Sequence, residues 1–442
     1  MRTPIDRKIL AAALLLAASS AHALMADNSH RSQVVGVDLI TYRSNARDVV
    51  SILGALPAGD AMAAGNIAIP TLTGMMLDRG TKTLDKFAIA ERLDNVGAEI
   101  AYSVATQSLE VRAKCLKKDL PLVLGLIAAE LREPALSAAE FAKAKQHFIG
   151  SLEQSRQNTA QRAQEAFGRA VFPEGHPNHP HSIDEYLAAA KLATLDAVKT
   201  FHAKYYGPKQ FTLVLVGDVP VEESEREIAK DFAGWSGGAD YLRPATPAHP
   251  AGARTITVPL SEKPSTSVIL GQATGLHYRD PDALALRVGT AILGQGFTGR
   301  LMGTVRDREG LTYQIGAGVA GDSIADGQWN IGASFAPALL DRGVASARAV
   351  LDKWWQEGVS EAELAARKKG LVGGYEVGLS TTSGLAGAIL VSVQRGYDVS
   401  WLDQYPDAIN AISRDQVNRA IRTHLDPSTM VLVEAGSVGA AH

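Results

Sequence analysis

Two hydrophobic patterns alternate along this chain. Phe211-Thr-Leu-Val-Leu-Val-Gly and Met430-Val-Leu-Val-Glu-Ala-Gly are continuous β-branched runs that read as buried strands. Glu99-Ile-Ala-Tyr-Ser-Val and Ser108-Leu-Glu-Val-Arg-Ala alternate with period two instead, and read as half-exposed strands. An opening strand pair, Val34 to Tyr42 and Val49 to Leu56, precedes a helix from about Asn66 to Leu77, and Ala283 to Gly294 is helical in character. The pattern predicts an α+β fold with antiparallel strands and helices packed on one face.

The same grammar occurs twice. Thr194-Leu-Asp-Ala-Val198 leads through Tyr206-Gly-Pro208 to a strand ending at Val219, and Ser413-Arg-Asp-Gln-Val417 leads through Leu425-Asp-Pro427 to one ending at Val438; Val198 and Val417, Pro208 and Pro427, and Val219 and Val438 are each 219 residues apart. In both copies a Ser/Thr cap opens a helix and a proline closes the connection. Ser137 with Glu140 and Ser360 with Glu363 each have capping-box spacing, and Glu153 and Glu376 follow at a shared offset of 223. Gly and Pro accumulate from Gly234 to Gly252, where periodicity disappears. These features predict two duplicated domains, residues 30–235 and 257–440, joined by a linker over 236–256.

Composition narrows the class. The chain has 442 residues, 46% hydrophobic and 21% charged, enough for two packed domains. Residues 1–23 read as a secretory signal: Arg2, Arg7 and Lys8 are its positive region, Ile9 to Ala18 its apolar run and Ala21-His22-Ala23 its cleavage site. Its removal takes the formal charge from −3 to −5 (loss of Arg2, Arg7, Lys8 and Asp6), which argues against nucleic-acid binding. A periplasmic or secreted location follows as an expectation, with no membrane attachment after cleavage. Cys115 is the only cysteine, so no intrachain disulfide forms even in an oxidising compartment.

Several candidate motifs have plainer explanations. Gly294-x-Gly296-x-x-Gly299 matches a dinucleotide fingerprint, but a helical segment precedes it where that fingerprint requires a strand. His176-Pro-Asn-His179-Pro-His181 has no cysteine nearby and reads better as a surface loop than as a metal site, with Asp184 and Glu185 as helix-start acidity. No G-x-S-x-G elbow occurs. Arg306 and Tyr313 flank Gly310. If Arg306 ends a helix and Tyr313 starts a strand, both side chains face one cleft, where a guanidinium and a phenol suit a peptide carbonyl or its developing oxyanion. On spacing alone, a surface ion pair and a half-buried strand tyrosine is the favoured reading of the two residues.

The segment Phe297-Thr-Gly-Arg300-Leu-Met-Gly-Thr-Val-Arg306-Asp-Arg-Glu-Gly310-Leu-Thr-Tyr313 resembles the second-domain signature of the pitrilysin/insulinase zinc peptidases, the inverzincins. The Gly59 turn, Arg79-Gly80-Thr81, Phe172-Pro-Glu-Gly-His-Pro177 and Tyr206-x-Pro208 resemble the first domain. The resemblance implies paired α+β domains forming half of a clam, with Arg306 and Tyr313 as the substrate-binding and transition-state pair. It also implies an H-x-x-E-H helix with a further glutamate downstream as zinc site. Alignment on Arg79-Gly80-Thr81 puts Thr71, Gly74 and Met75 at the three functional positions, and no histidine lies between His30 and His147. Glu153 is near the expected third ligand, but one carboxylate does not hold zinc.

The implied function is that of a non-zinc subunit of an exported heterodimeric metallopeptidase. It binds no cofactor itself and supplies Arg306 and Tyr313 to the zinc site of a homologous partner, with peptide substrate lying as an added strand on a sheet edge. The alternative is a non-catalytic structural or peptide-binding homologue. A self-sufficient hydrolase of another mechanism is a third and weaker reading.

Overall fold

Both β-branched runs lie in the interior of sheets. The computed structural model describes residues 25–242 and 247–438, so the leader read over 1–23 falls outside the described residues. The first sheet contains β1 (Ser29–Val34), β2 (Val37–Arg43), β3 (Val49–Leu56), β4 (Glu99–Val104), β5 (Leu109–Leu116) and β6 (Thr212–Gly217), in the order β1-β2-β6-β3-β5-β4. The second contains β7 (Arg254–Pro259), β8 (Thr266–Ala273), β9 (Thr312–Ala320), β10 (Gln328–Phe335) and β11 (Val431–Gly436), in the order β7-β11-β8-β10-β9. With β1 set aside the two orders correspond strand for strand.

Neither sheet is wholly antiparallel, which corrects the expectation from the sequence. β6 runs parallel to β2, and β11 parallel to β7. Both β2 and β3 pair with β6 rather than with each other, because β6 returns after a long helical excursion and inserts between them. Its continuous apolar run suits that central place, where both faces are covered.

The first half carries α1 (Ile69–Gly74), α2 (Lys86–Asp94), α3 (Leu120–Arg132), α4 (Ala138–Arg156), α5 (Thr159–Val171), α6 (Ile183–Leu192), α7 (Leu195–Tyr205) and α8 (Val221–Asp231). The second carries α9 (Ala283–Gly294), α10 (Leu340–Glu357), α11 (Glu361–Leu379), α12 (Thr382–Gln394), α13 (Trp401–Ala411) and α14 (Arg414–His424). The helix expected from Asn66 to Leu77 is shorter: α1 starts with Ile69-Pro70, and a separate 3₁₀ turn covers Leu77–Arg79. Ser360 and Glu363 complete a capping box, whereas Glu140 is drawn away from Ser137 by Lys86 and Lys143, at 3.0 and 2.9 Å.

Helices cover the opposite face of each sheet as well. There the covering helix comes from the other half. α12 lays Leu385, Ala386, Ile389 and Leu390 on Ile40, Ala55, Val214 and Val216 of the first sheet. Reciprocally, α5 lays Ala163, Phe167, Ala170 and Val171 on Ile269, Val431 and Val433 of the second. Burial of each large side chain contributes on the order of 2 kcal/mol, so the exchange welds the halves together. Matching hydroxyl contacts fix the register at the helix starts: Ser51 Oγ lies 2.8 Å from Thr382 Oγ1, and Ser267 Oγ 2.8 Å from Thr159 Oγ1.

The connecting stretch is also tied down. Ala248 is buried and donates its N–H to Asp326 Oδ2, and β7 takes up Arg254 onward, inside the stretch read as linker. Among the described residues no single helix is long and apolar enough to cross a membrane.

Candidate functional site

Arg306 and Tyr313 come together on the outer edge of the second sheet. Residues Met302–Arg308 form a π-helix, a wider coil than the ordinary helix expected to end at Arg306. Gly310 then reverses the chain at φ +64°, and β9 begins at Thr312. β9 pairs with β10 alone, so its other edge is unpaired within the sheet. The Arg306 guanidinium lies 5.1 Å from the Tyr313 ring centroid and 5.1 Å from that of Phe297. Tyr313 is 84% exposed and Phe297 73%, an unusual presentation for large aromatics. Among the described residues, the one carboxylate within ion-pair reach of Arg306 is that of the exposed Asp307, at 3.9 Å, too far for a tight pair. The tyrosine is therefore exposed rather than half-buried, and the arginine is held by rings rather than by a carboxylate.

Phe297 was not picked out by motif reasoning. Its position in Gly296-Phe297-Thr298 carries the only sequence signal, an aromatic residue in a glycine-rich turn. Gly294 has a packing role instead of a phosphate-cradling one: a Cβ there would lie 2.2 Å from the Ala317 backbone nitrogen, so its absence lets α9 cross close to β9. Arg300 is a strut, donating from Nε and Nη2 to both oxygens of Glu363 at 2.7 and 2.8 Å. That guanidinium pair, with the Ser360 cap, holds the Glu363 carboxyl down at about 2.

The place of the expected zinc helix is filled. Thr71 Oγ1 donates to Asp60 Oδ1 at 2.9 Å, and Met75 packs against the first core. A Cβ on Gly74 would lie 2.5 Å from Val104 Cγ2, so β4 occupies the space a longer side chain would need. Burial pushes the Asp60 carboxyl up to about 6, against the Thr71 and Tyr186 hydrogen bonds. Among the described residues no three His, Cys, Asp or Glu side chains converge in a metal-binding group. The donor set does not fit zinc. Glu153 instead meets Arg156 on the exposed side of α4, at 3.2 Å.

The His176–His181 loop departs in part from its surface reading. His176 is only 6% exposed, stacks on Phe172 at 4.7 Å and contacts Asp326 Oδ1 at 2.9 Å. Asn178 donates to the carbonyls of Gly321 and Asp326. The loop is thus a strut between the halves, and only His181 of its histidines is exposed.

Fold and site together define a duplicated two-sheet protein with an Arg/Tyr pair at the edge of its second sheet. Residues 193–371 match the family "Peptidase M16 inactive domain", and the resemblance to the pitrilysin peptidases is borne out. An uncharacterized zinc protease of Streptomyces coelicolor is 22% identical over 364 residues, covering 78% of this chain and 77% of that protein. The crystal structure of a peptidase M16 inactive domain from Pseudomonas fluorescens superposes with a TM-score of 0.85 at 23% identity, over 94% of this chain and 99% of that one. The periplasmic protease PqqL of Escherichia coli gives a TM-score of 0.74 at 15% identity, over 92% of this chain but 46% of its own.

Proposed function

We propose that the chain is the zinc-free subunit of an exported peptidase pair and presents Arg306 and Tyr313 to peptide bound at the zinc site of a homologous partner. The observation that carries this reading is the half-buried Arg306 stacked between the exposed rings of Phe297 and Tyr313 beside an unpaired strand edge, on a chain in which Val104 fills the space at the place of the expected zinc motif. A half-buried guanidinium without a tight carboxylate keeps its donors available to a substrate carbonyl, and the exposed phenol adds another donor toward a developing oxyanion. The free edge of β9 supplies backbone groups for an extended peptide. Supporting the pairing, PqqL is about twice as long as the part this chain covers, which leaves room there for a second such unit. PqqL is a periplasmic protease, which agrees with the leader read over residues 1–23.

The description "inactive domain" favours a second reading, a non-catalytic homologue. The two separate on purification. A tagged mature chain co-expressed with an exported H-x-x-E-H homologue from the same genome should recover that homologue as a stable complex that hydrolyses peptides. Recovery of the chain alone, with no gain of activity on mixing, favours the non-catalytic reading.

A further inference from the structure

Further along β9 from Tyr313, a cavity of about 390 Å³ opens between α9, α11, α13 and Ala317–Val319 of β9. Its charged lining is unbalanced. The guanidinium groups of Arg287 and Arg395 both lie against the ring of Tyr278, with Cζ 4.9 and 3.5 Å from its centroid. Asp322 pairs with Arg287. Arg395 donates from Nε to Ser323 Oγ at 3.2 Å, and among the described residues it has no carboxylate within ion-pair reach. Two cations crowded on one aromatic ring repel each other, and the ring's attraction offsets only part of that. Burial adds to the cost and lowers the Arg395 guanidinium from its ordinary value. Tyr405 also lines the cavity, adding a hydroxyl beside the two cations.

We propose that this cavity is a subsite for a peptide carboxylate, either an acidic side chain or the C-terminal group, received chiefly by Arg395. A guanidinium offers forked donors that match a carboxylate, and the missing counter-charge is the one a carboxylate supplies. The inference rests on the reading of β9 as a peptide-binding edge. From Tyr313 to Gly318 an extended strand rises roughly 17 Å, so the anionic group sits about five residues from the bond held at Arg306 and Tyr313.

The test is calorimetric titration of the mature chain with N-acetylglutamate and its uncharged diamide N-acetylglutaminamide, then with ten-residue peptides differing by Glu against Gln or by free acid against amide at the C-terminus. The wild type should bind N-acetylglutamate at least tenfold tighter than N-acetylglutaminamide, and Arg395→Gln should abolish that preference without lowering the melting temperature. Arg395→Lys should keep part of it, which guards against a folding artefact. Whichever peptide pair shows the preference identifies the source of the carboxylate. Equal binding of the two small probes, or a preference undiminished in Arg395→Gln, overturns the subsite. If the small probes discriminate but no peptide binds, the carboxylate site stands and the β9 peptide edge falls.

Discussion

His176 of the first half and Asp326 of the second meet at 2.9 Å with both side chains buried. Asp326 also accepts the Ala248 N–H from the connecting stretch, so one carboxylate ties together three separate parts of the chain. Burial pushes this carboxyl up, but the His176 and Ala248 hydrogen bonds outweigh it and hold the group below its ordinary value. A depressed carboxyl contributes stability above its unfolded value, and that contribution is lost as pH falls through the folded value. Asp326→Asn should therefore cost about 1–3 kcal/mol at neutral pH. Urea unfolding of both proteins down to pH 3 should show the difference shrinking once pH drops below about 4.

A second buried carboxyl has the opposite sign. Glu130 is 1% exposed and accepts the Tyr102 hydroxyl at 2.6 Å, and burial pushes it up to about 7. Its folded value lies above the unfolded one, so the native state binds the extra proton between pH 4.5 and about 7, and stability falls across that window. Glu130→Gln keeps an acceptor for Tyr102 and removes the titration. The variant should match the wild type near pH 4.5 and exceed it by about 3 kcal/mol at pH 8, read from denaturant midpoints.

The filling of space around α1, at the place of the expected zinc motif, is testable by packing. Gly74→Ala forces a methyl group into Val104 and should cost about 1–3 kcal/mol. Val104→Ala in the same chain should recover most of that loss, a coupling that a double-mutant cycle measures directly. Additive costs would show that the two residues do not compete for the same space.

Much of this architecture was readable from the residues. The 219-residue echo became matching strands β6 and β11 behind matching helices α7 and α14, because caps, prolines and β-branched runs act locally. The exchange of α5 and α12 was not readable. Both helices have ordinary apolar faces, and nothing in such a face says which sheet it will cover. His176 was misread for a related reason: its partner Asp326 is 150 residues away, and histidine between prolines resembles loop chemistry. At the site, spacing brought Arg306 to Tyr313 through Gly310, but the π-helix and the Phe297 contact depend on how α9 crosses β9. The Arg287–Arg395 crowding likewise joins α9 to the end of α12, a juxtaposition that only the folded chain displays.

The role proposed for Arg306 and Tyr313 is to act on peptide held at another chain's zinc. Its most direct test is kcat/KM for peptide hydrolysis by the pair reconstituted from the mature chain and its zinc-bearing partner, with wild type, Arg306→Ala and Tyr313→Phe compared at equal complex and zinc content. The prediction is no hydrolysis by the isolated chain, and a loss of about 100-fold or more in each variant complex, the size expected when an oxyanion donor is removed. Undiminished kcat/KM in both variant complexes would contradict it.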